Sequence, residues 1–200
     1  MPSLLPILRS QQQAELLARL LGRPDDATSL TELASDLDIP VSSVYREVER
    51  AEAAGLVTSY KIGNTRLVQA NPDSPYYAGL ADVLVKAFGP PHVIASALGG
   101  IDGIDSAYIY GSWAARFSGV EGNRPVGDID VLILGSPDRN PLYDALATAE
   151  KRLGRPIQAT IRAPGWLTTG EGNFHATITE RPLVELTALN HRTTSTDHSD

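Results

Sequence analysis

AYIYGSWAARFSGVEGNRPVGDIDVLILG, residues 107–135, decides how the chain is read. It begins with an apolar strand, Ala107–Tyr110, and a turn, Gly111-Ser112, that opens a short helix. A loop over 118–127 follows, and then a second strand that begins Asp128-Ile129-Asp130. Strand side chains alternate faces, so Asp128 and Asp130 point one way and Ile129 the other. Two carboxylates on one face at the mouth of a strand suit Mg²⁺ (or Mn²⁺), which takes oxygen ligands and shares them with phosphates. Glycine allows close approach to the backbone, and free N–H groups at a helix start favour an anion such as phosphate. A phosphate cradle and a metal-binding pair make half of a nucleotide-transfer site.

Composition sets the frame. The 200 residues are 42% apolar, enough for one large domain or two small ones with modest cores. No cysteine is present, which excludes disulfides and Cys-ligated zinc and fits a cytoplasmic home. The opening MPSLLPILRSQQQ has no long apolar run, so neither a signal peptide nor a membrane partner is expected. A net charge of −7 argues against nonspecific wrapping of nucleic acid but allows a local basic surface.

Ahead of the acidic pair the pattern is helical. Residues Arg9–Gly22 place Leu16, Leu17, Leu20 and Leu21 at helical spacing, with Ser10 to cap and Gly22 to stop. Ser29 and Glu32 form a capping-box pattern for a second helix through Leu37. Asp38-Ile39-Pro40 makes a tight turn. The third helix, Val41–Ala54, carries Val44, Val48 and Ala51 on one face, and Gly55 ends it. Two strands, 56–61 and 65–69, flank a hairpin at Ile62-Gly63-Asn64.

This order of elements resembles the bacterial winged helix-turn-helix regulators (ArsR/MarR-like), and LTELASDLDIPVSSVYREVERAEAAGLV has their rhythm. The resemblance implies double-stranded DNA as partner. Ser42 and Ser43 would lead the reading helix, Tyr45, Arg46 and Arg50 would reach bases or phosphates, and Lys61, Asn64 and Arg66 would sit on the wing. Residues 1–70 hold seven Lys/Arg against nine Asp/Glu, so the alternative is a winged helix that contacts protein instead of DNA. Breakers at Asn71–Pro75 mark a linker. Tyr76–Phe88 reads as a helix with Leu80, Val83, Leu84 and Ala87 on its apolar side. That helix is expected to bridge two domains and to serve a homodimer that matches palindromic sites.

The segment 107–135 in turn resembles the nucleotidyltransferases of the polymerase-beta type, above all their minimal stand-alone form. The residues that carry the likeness are Tyr110-Gly-Ser-Trp-Ala-Ala-Arg116 and Gly127-Asp-Ile-Asp-Val-Leu-Ile133. It covers roughly residues 90–190, the usual scale of a domain. It implies Asp128 and Asp130 as catalytic and metal-holding residues, with Gly111, Ser112 and Arg116 at a nucleoside triphosphate. Members of this superfamily carry a third acid on the next strand. Here 155–161 offers Gln158 or Thr160, and neither takes up a proton at neutral pH as a carboxylate does. Glu121 or Glu171 are the acids left to substitute.

His92 and His175 have no partner at ligand spacing, His191 and His198 go with the polar tail and carry little signal, and Trp113 reads as core. The expected fold is α/β (α+β). A winged helix-turn-helix spans 1–70 and a linker helix 71–89. A nucleotidyltransferase-like mixed sheet with flanking helices spans 90–192, and a polar tail covers 193–200. Two functions follow from these resemblances. One is a DNA-binding regulator that holds a Mg-nucleotide. The other is an enzyme that moves a nucleoside monophosphate to a protein or RNA acceptor, as in toxin–antitoxin systems.

Overall fold

Ser10 starts the first helix by accepting the Gln13 N–H on its hydroxyl oxygen at 3.1 Å, satisfying one of the donors that a helix start leaves open. This is α1 (Gln11–Leu21), and it buries Leu16, Leu17, Leu20 and Leu21. The structure, a computed structural model, describes residues 8–120 and 127–186. Glu121, Asn123 and Arg124, the histidines 191 and 198 and the tail 193–200 lie outside the described residues.

Strand β1 (Thr28–Ser29) leads into α2 (Leu30–Leu37). Ser29 caps α2, its hydroxyl accepting the Glu32 N–H at 3.1 Å. Asp38 turns the chain in the left-handed region at φ 53°, ψ 49°, which short polar residues tolerate. Helix α3 (Val41–Ala53) then buries Val44, Val48 and Ala51, the face that its spacing implies. Strands β2 (Val57–Ile62) and β3 (Thr65–Ala70) pair antiparallel, with Ile62 opposite Thr65. The hairpin turn is therefore the two residues Gly63-Asn64, and Ile62 belongs to the strand. Strand β1 adds to β3 in the order β1-β3-β2. At two residues it is too short for any periodicity to announce it.

Helix α4 (Tyr77–Phe88) departs from the linker expectation. Its Ala81, Leu84 and Phe88 join the core built by α1, α2 and α3, while Val83 is 45% exposed. The sequence YAGLADVLVKAF is apolar nearly all round, so spacing alone does not choose the buried side.

Pro90 and Pro91 open α5 (Pro90–Leu98). The first turn of a helix has no use for their missing N–H groups. The second sheet holds β4 (Ile104–Tyr110), β5 (Ile129–Gly135), β6 (Ile157–Arg162) and β7 (Val184–Glu185) in the order β6-β5-β4-β7. Strands β4 and β5 run antiparallel and β5 and β6 parallel. A parallel pair needs a long crossover, and α7 (Arg139–Leu153) supplies it. The short helices are α6 (Gly111–Phe117), α8 (Trp166–Thr169) and α9 (Asn173–Thr179). Val184–Glu185 forms a short edge strand antiparallel to β4.

The fold is mixed α+β with two sheets. It divides into two compact units. One runs to Val93 and takes in Ala149–Arg155, and the other holds Ile94–Thr148 and the residues from Pro156 onward. Among the described residues no helix is long and apolar enough to cross a membrane.

Candidate functional site

Asp130 lies on β5 between two register partners, Tyr110 on β4 and Gln158 on β6. Alternation puts it on the sheet face of Leu132 and Leu134, which Trp166, Leu167 and Ile178 cover farther along. The opposite face, with Ile129, Val131 and Ile133, is fully buried. The Asp-Ile-Asp alternation therefore divides core from site.

Gly111 follows Tyr110 at φ +74°, a conformation glycine adopts without strain. A Cβ at this position would run into the Asp130 carboxylate. The turn and the acid thus meet, and the contact requires glycine. Asp128 is half-buried just ahead of β5, where the Ile129 N–H donates to the Pro156 carbonyl at 2.9 Å and fixes the strand mouth. Burial, and next the charge of Asp128, push the Asp130 carboxyl above its ordinary range. A cation between the two acids would relieve that repulsion. Ser112 is exposed, and Arg116 is half-buried one turn further along α6. Helix α6 has only seven residues, so the glycine turn, more than a helix dipole, characterises this end of the site.

Strand β6 supplies no third acid. Gln158 stands in register with Asp130, and the Thr160 hydroxyl is hydrogen-bonded with the Tyr110 hydroxyl at 3.2 Å. Glu171 is exposed between α8 and α9. Among the described residues no three His, Cys, Asp or Glu side chains gather in a way that could hold a metal. Among the described residues, Asp128 and Asp130 are the donors that would suit one Mg²⁺ completing its shell with phosphate oxygens and water.

One group escaped sequence reading. Tyr110, Trp166 and Phe174 cluster with the Arg162 guanidinium, which lies 5.5 Å from the Trp166 ring centre and 5.2 Å from that of Phe174. The available signal in the sequence was Trp166, Phe174 and His175, three aromatic rings within ten residues. His175 is fixed by the Leu167 carbonyl at 3.0 Å and meets Trp166 edge-on. His92 packs edge-on to Phe88, and burial pushes its pKa down. Trp113 is buried and stacks on Phe117, as its core reading expects.

In the first unit the front of α3 is open. Ser42, Tyr45, Arg46 and Arg50 are exposed and Ser43 is half-buried, accepting from Arg46 at 3.3 Å. Glu47 gathers donors beside them: Arg50 at 2.6 Å, Arg9 at 3.0 Å and Gln13 at 3.1 Å. A polar pocket of about 430 Å³ opens among Ser10, Gln13, Ser43, Arg46, Glu47 and Arg50. Lys61 and Asn64 are exposed on the hairpin. Arg66 turns inward instead. It donates to Ser59 at 3.0 Å, pairs with Glu49 and Glu52, and lies 5.6 Å from the centre of the Tyr45 ring. Its charge is spent on fastening the hairpin to α3, a long-range pairing that sequence spacing does not reveal.

No protein-family model, curated protein or solved structure matches this chain.

Proposed function

We propose that the chain is a DNA-binding transcriptional regulator, acting as a homodimer, whose second unit binds a Mg-nucleotide and has weak transfer activity or none. The resemblances to winged helix-turn-helix regulators and to polymerase-beta-type nucleotidyltransferases motivate the reading. The observation that carries it is the meeting of the Gly111 turn with Asp130 on the face that Asp128 shares. There Asp128 and Asp130 would hold Mg²⁺, which supplies charge neutralisation for the phosphates. Gly111 gives those phosphates room against the backbone. The exposed front of α3 and the Lys61 and Asn64 hairpin support the DNA half.

Weak transfer follows from β6. The positions that would present a third carboxylate hold Gln158, an amide, and Thr160, already bonded to Tyr110. Neither accepts a proton from an attacking hydroxyl at neutral pH.

Two experiments test the halves separately. Gel shifts on the DNA upstream of the chain's own coding region, at stated salt, are expected to show a sequence-selective complex; its absence removes the DNA half. Calorimetry with Mg-nucleotides is expected to show binding that Asp128→Ala abolishes, and silence in the unaltered chain removes the nucleotide half. Incubation with labelled nucleoside triphosphates is expected to leave little or no label on protein or RNA. Label retained on a macromolecule in near-stoichiometric yield, and lost in Asp128→Ala, would establish the enzyme instead.

A further inference from the structure

We propose that Phe174 is the platform on which the base of the bound nucleotide stacks, and that the site prefers purines. This rests on the Mg-nucleotide reading of the acidic pair. Phe174 is 40% exposed, whereas Tyr110, Trp166 and Leu132 on the same side of the sheet are half-buried or fully buried. Lone exposed phenyl rings are free to swing, but this one is held. Tyr110 meets it at 6.2 Å with the rings near perpendicular, Trp166 lies 5.7 Å away, and the Arg162 guanidinium sits over the ring at 5.2 Å.

The supports are themselves fixed. Trp166 meets His175 edge-on at 4.9 Å, and His175 is tied to the Leu167 carbonyl. Gly170 keeps this turn close, because a Cβ there would collide with both His175 and Trp166. A ring already immobilised loses little freedom when a ligand stacks on it.

Position links the platform to the acids. Tyr110 is the register partner of Asp130 and also the neighbour of Phe174, so a single side chain separates the carboxylates from the ring. Phosphates at Gly111 and Asp130 with a base on Phe174 are the two ends of one nucleotide. Stacking favours the larger purine surface. The positive charge of Arg162 over the ring favours N7, an acceptor that both purines carry.

The test titrates the full chain with Mg-tripolyphosphate and with the Mg complexes of ATP, GTP, CTP and UTP, by calorimetry and Trp fluorescence. The unaltered chain is expected to bind ATP and GTP more tightly than CTP and UTP. Phe174→Ala should weaken ATP and GTP about ten-fold, within the range of single-base stacking, and leave tripolyphosphate unchanged. Phe174→Leu, which keeps apolar bulk, should show the same split, and Phe174→Trp should restore affinity. Unchanged ATP binding in Phe174→Ala overturns the platform while the acidic site stands. Equal loss of tripolyphosphate and ATP in both Phe174→Ala and Phe174→Leu also overturns it, since stacking cannot affect a ligand without a base. If the unaltered chain binds neither tripolyphosphate nor any nucleotide, the underlying reading falls and takes the platform with it.

Discussion

Asp130 carries a stability cost that its position explains. Burial and the neighbouring Asp128 favour its neutral form in the fold, so the unfolded chain releases this proton at lower pH than the folded chain does. Stability from the neutral acid is complete below the unfolded value of about 3.9 and is lost as pH rises through the folded value. Asp130→Asn is therefore expected to raise Tm at pH 7 and to leave it unchanged below about pH 3.5. The rise should stay under about 4 °C, because 1 kcal/mol moves a chain of this size by roughly that much and solvent screens a half-exposed group. Thermal scans at the two pH values decide it, and a fall at pH 7 would contradict the assignment. Gly111→Ala is expected to do the reverse. Its positive φ costs an L-residue about 1–2 kcal/mol, and its methyl would displace the Asp130 carboxylate. The unfolding free energy from urea denaturation should fall by that amount, and Mg-nucleotide binding should be lost. The glycine and both acids were legible because turn chemistry and strand alternation are local. The inward course of Arg66 was not, since its partners Glu49 and Glu52 lie on another element.

Helices and strands declared themselves wherever one face differed from the other. Helix α3 buries Val44, Val48 and Ala51 as its period requires, and Ser10 and Ser29 cap as their spacing to Gln13 and Glu32 implies. Helix α4 shows the limit of such reading, since apolar residues surround it and only its neighbours choose the buried side. Leu84 was legible, but Ala81 and Phe88 replace Leu80, Val83 and Ala87 as the fully buried set. The consequence is measurable. A linker would tolerate truncation of Phe88, whereas a core side chain only 2% exposed should not. Phe88→Ala is expected to cost about 3–5 kcal/mol, the range for a buried phenylalanine. Chemical denaturation followed by far-UV dichroism would register it, and a loss below about 1 kcal/mol would return α4 to the role of a tether.

For the chain as a whole, electrostatics would decide how the proposed DNA binding responds to salt. The net charge is −7, so attraction to phosphate must come from a few local cations and not from a global field. The sequence offers four on the third helix and hairpin: Arg46, Arg50, Lys61 and Arg66. The fold removes Arg66, which pairs with Glu49 and Glu52, and ties Arg50 to Glu47. About two or three cations per protomer then remain to displace counterions. Each phosphate contact contributes about −0.9 to the slope of log K against log salt, so the expected slope is about −2 to −3 per protomer. Fluorescence anisotropy with a labelled upstream duplex across a NaCl series measures it. Arg46→Ala should flatten the slope by about one, as removal of a single phosphate contact requires. Arg66→Ala should leave the slope unchanged, since its guanidinium already faces two glutamates. A slope change in Arg66→Ala equal to that in Arg46→Ala would mean that DNA draws Arg66 away from Glu49 and Glu52. The hairpin would then have to detach from α3 on binding.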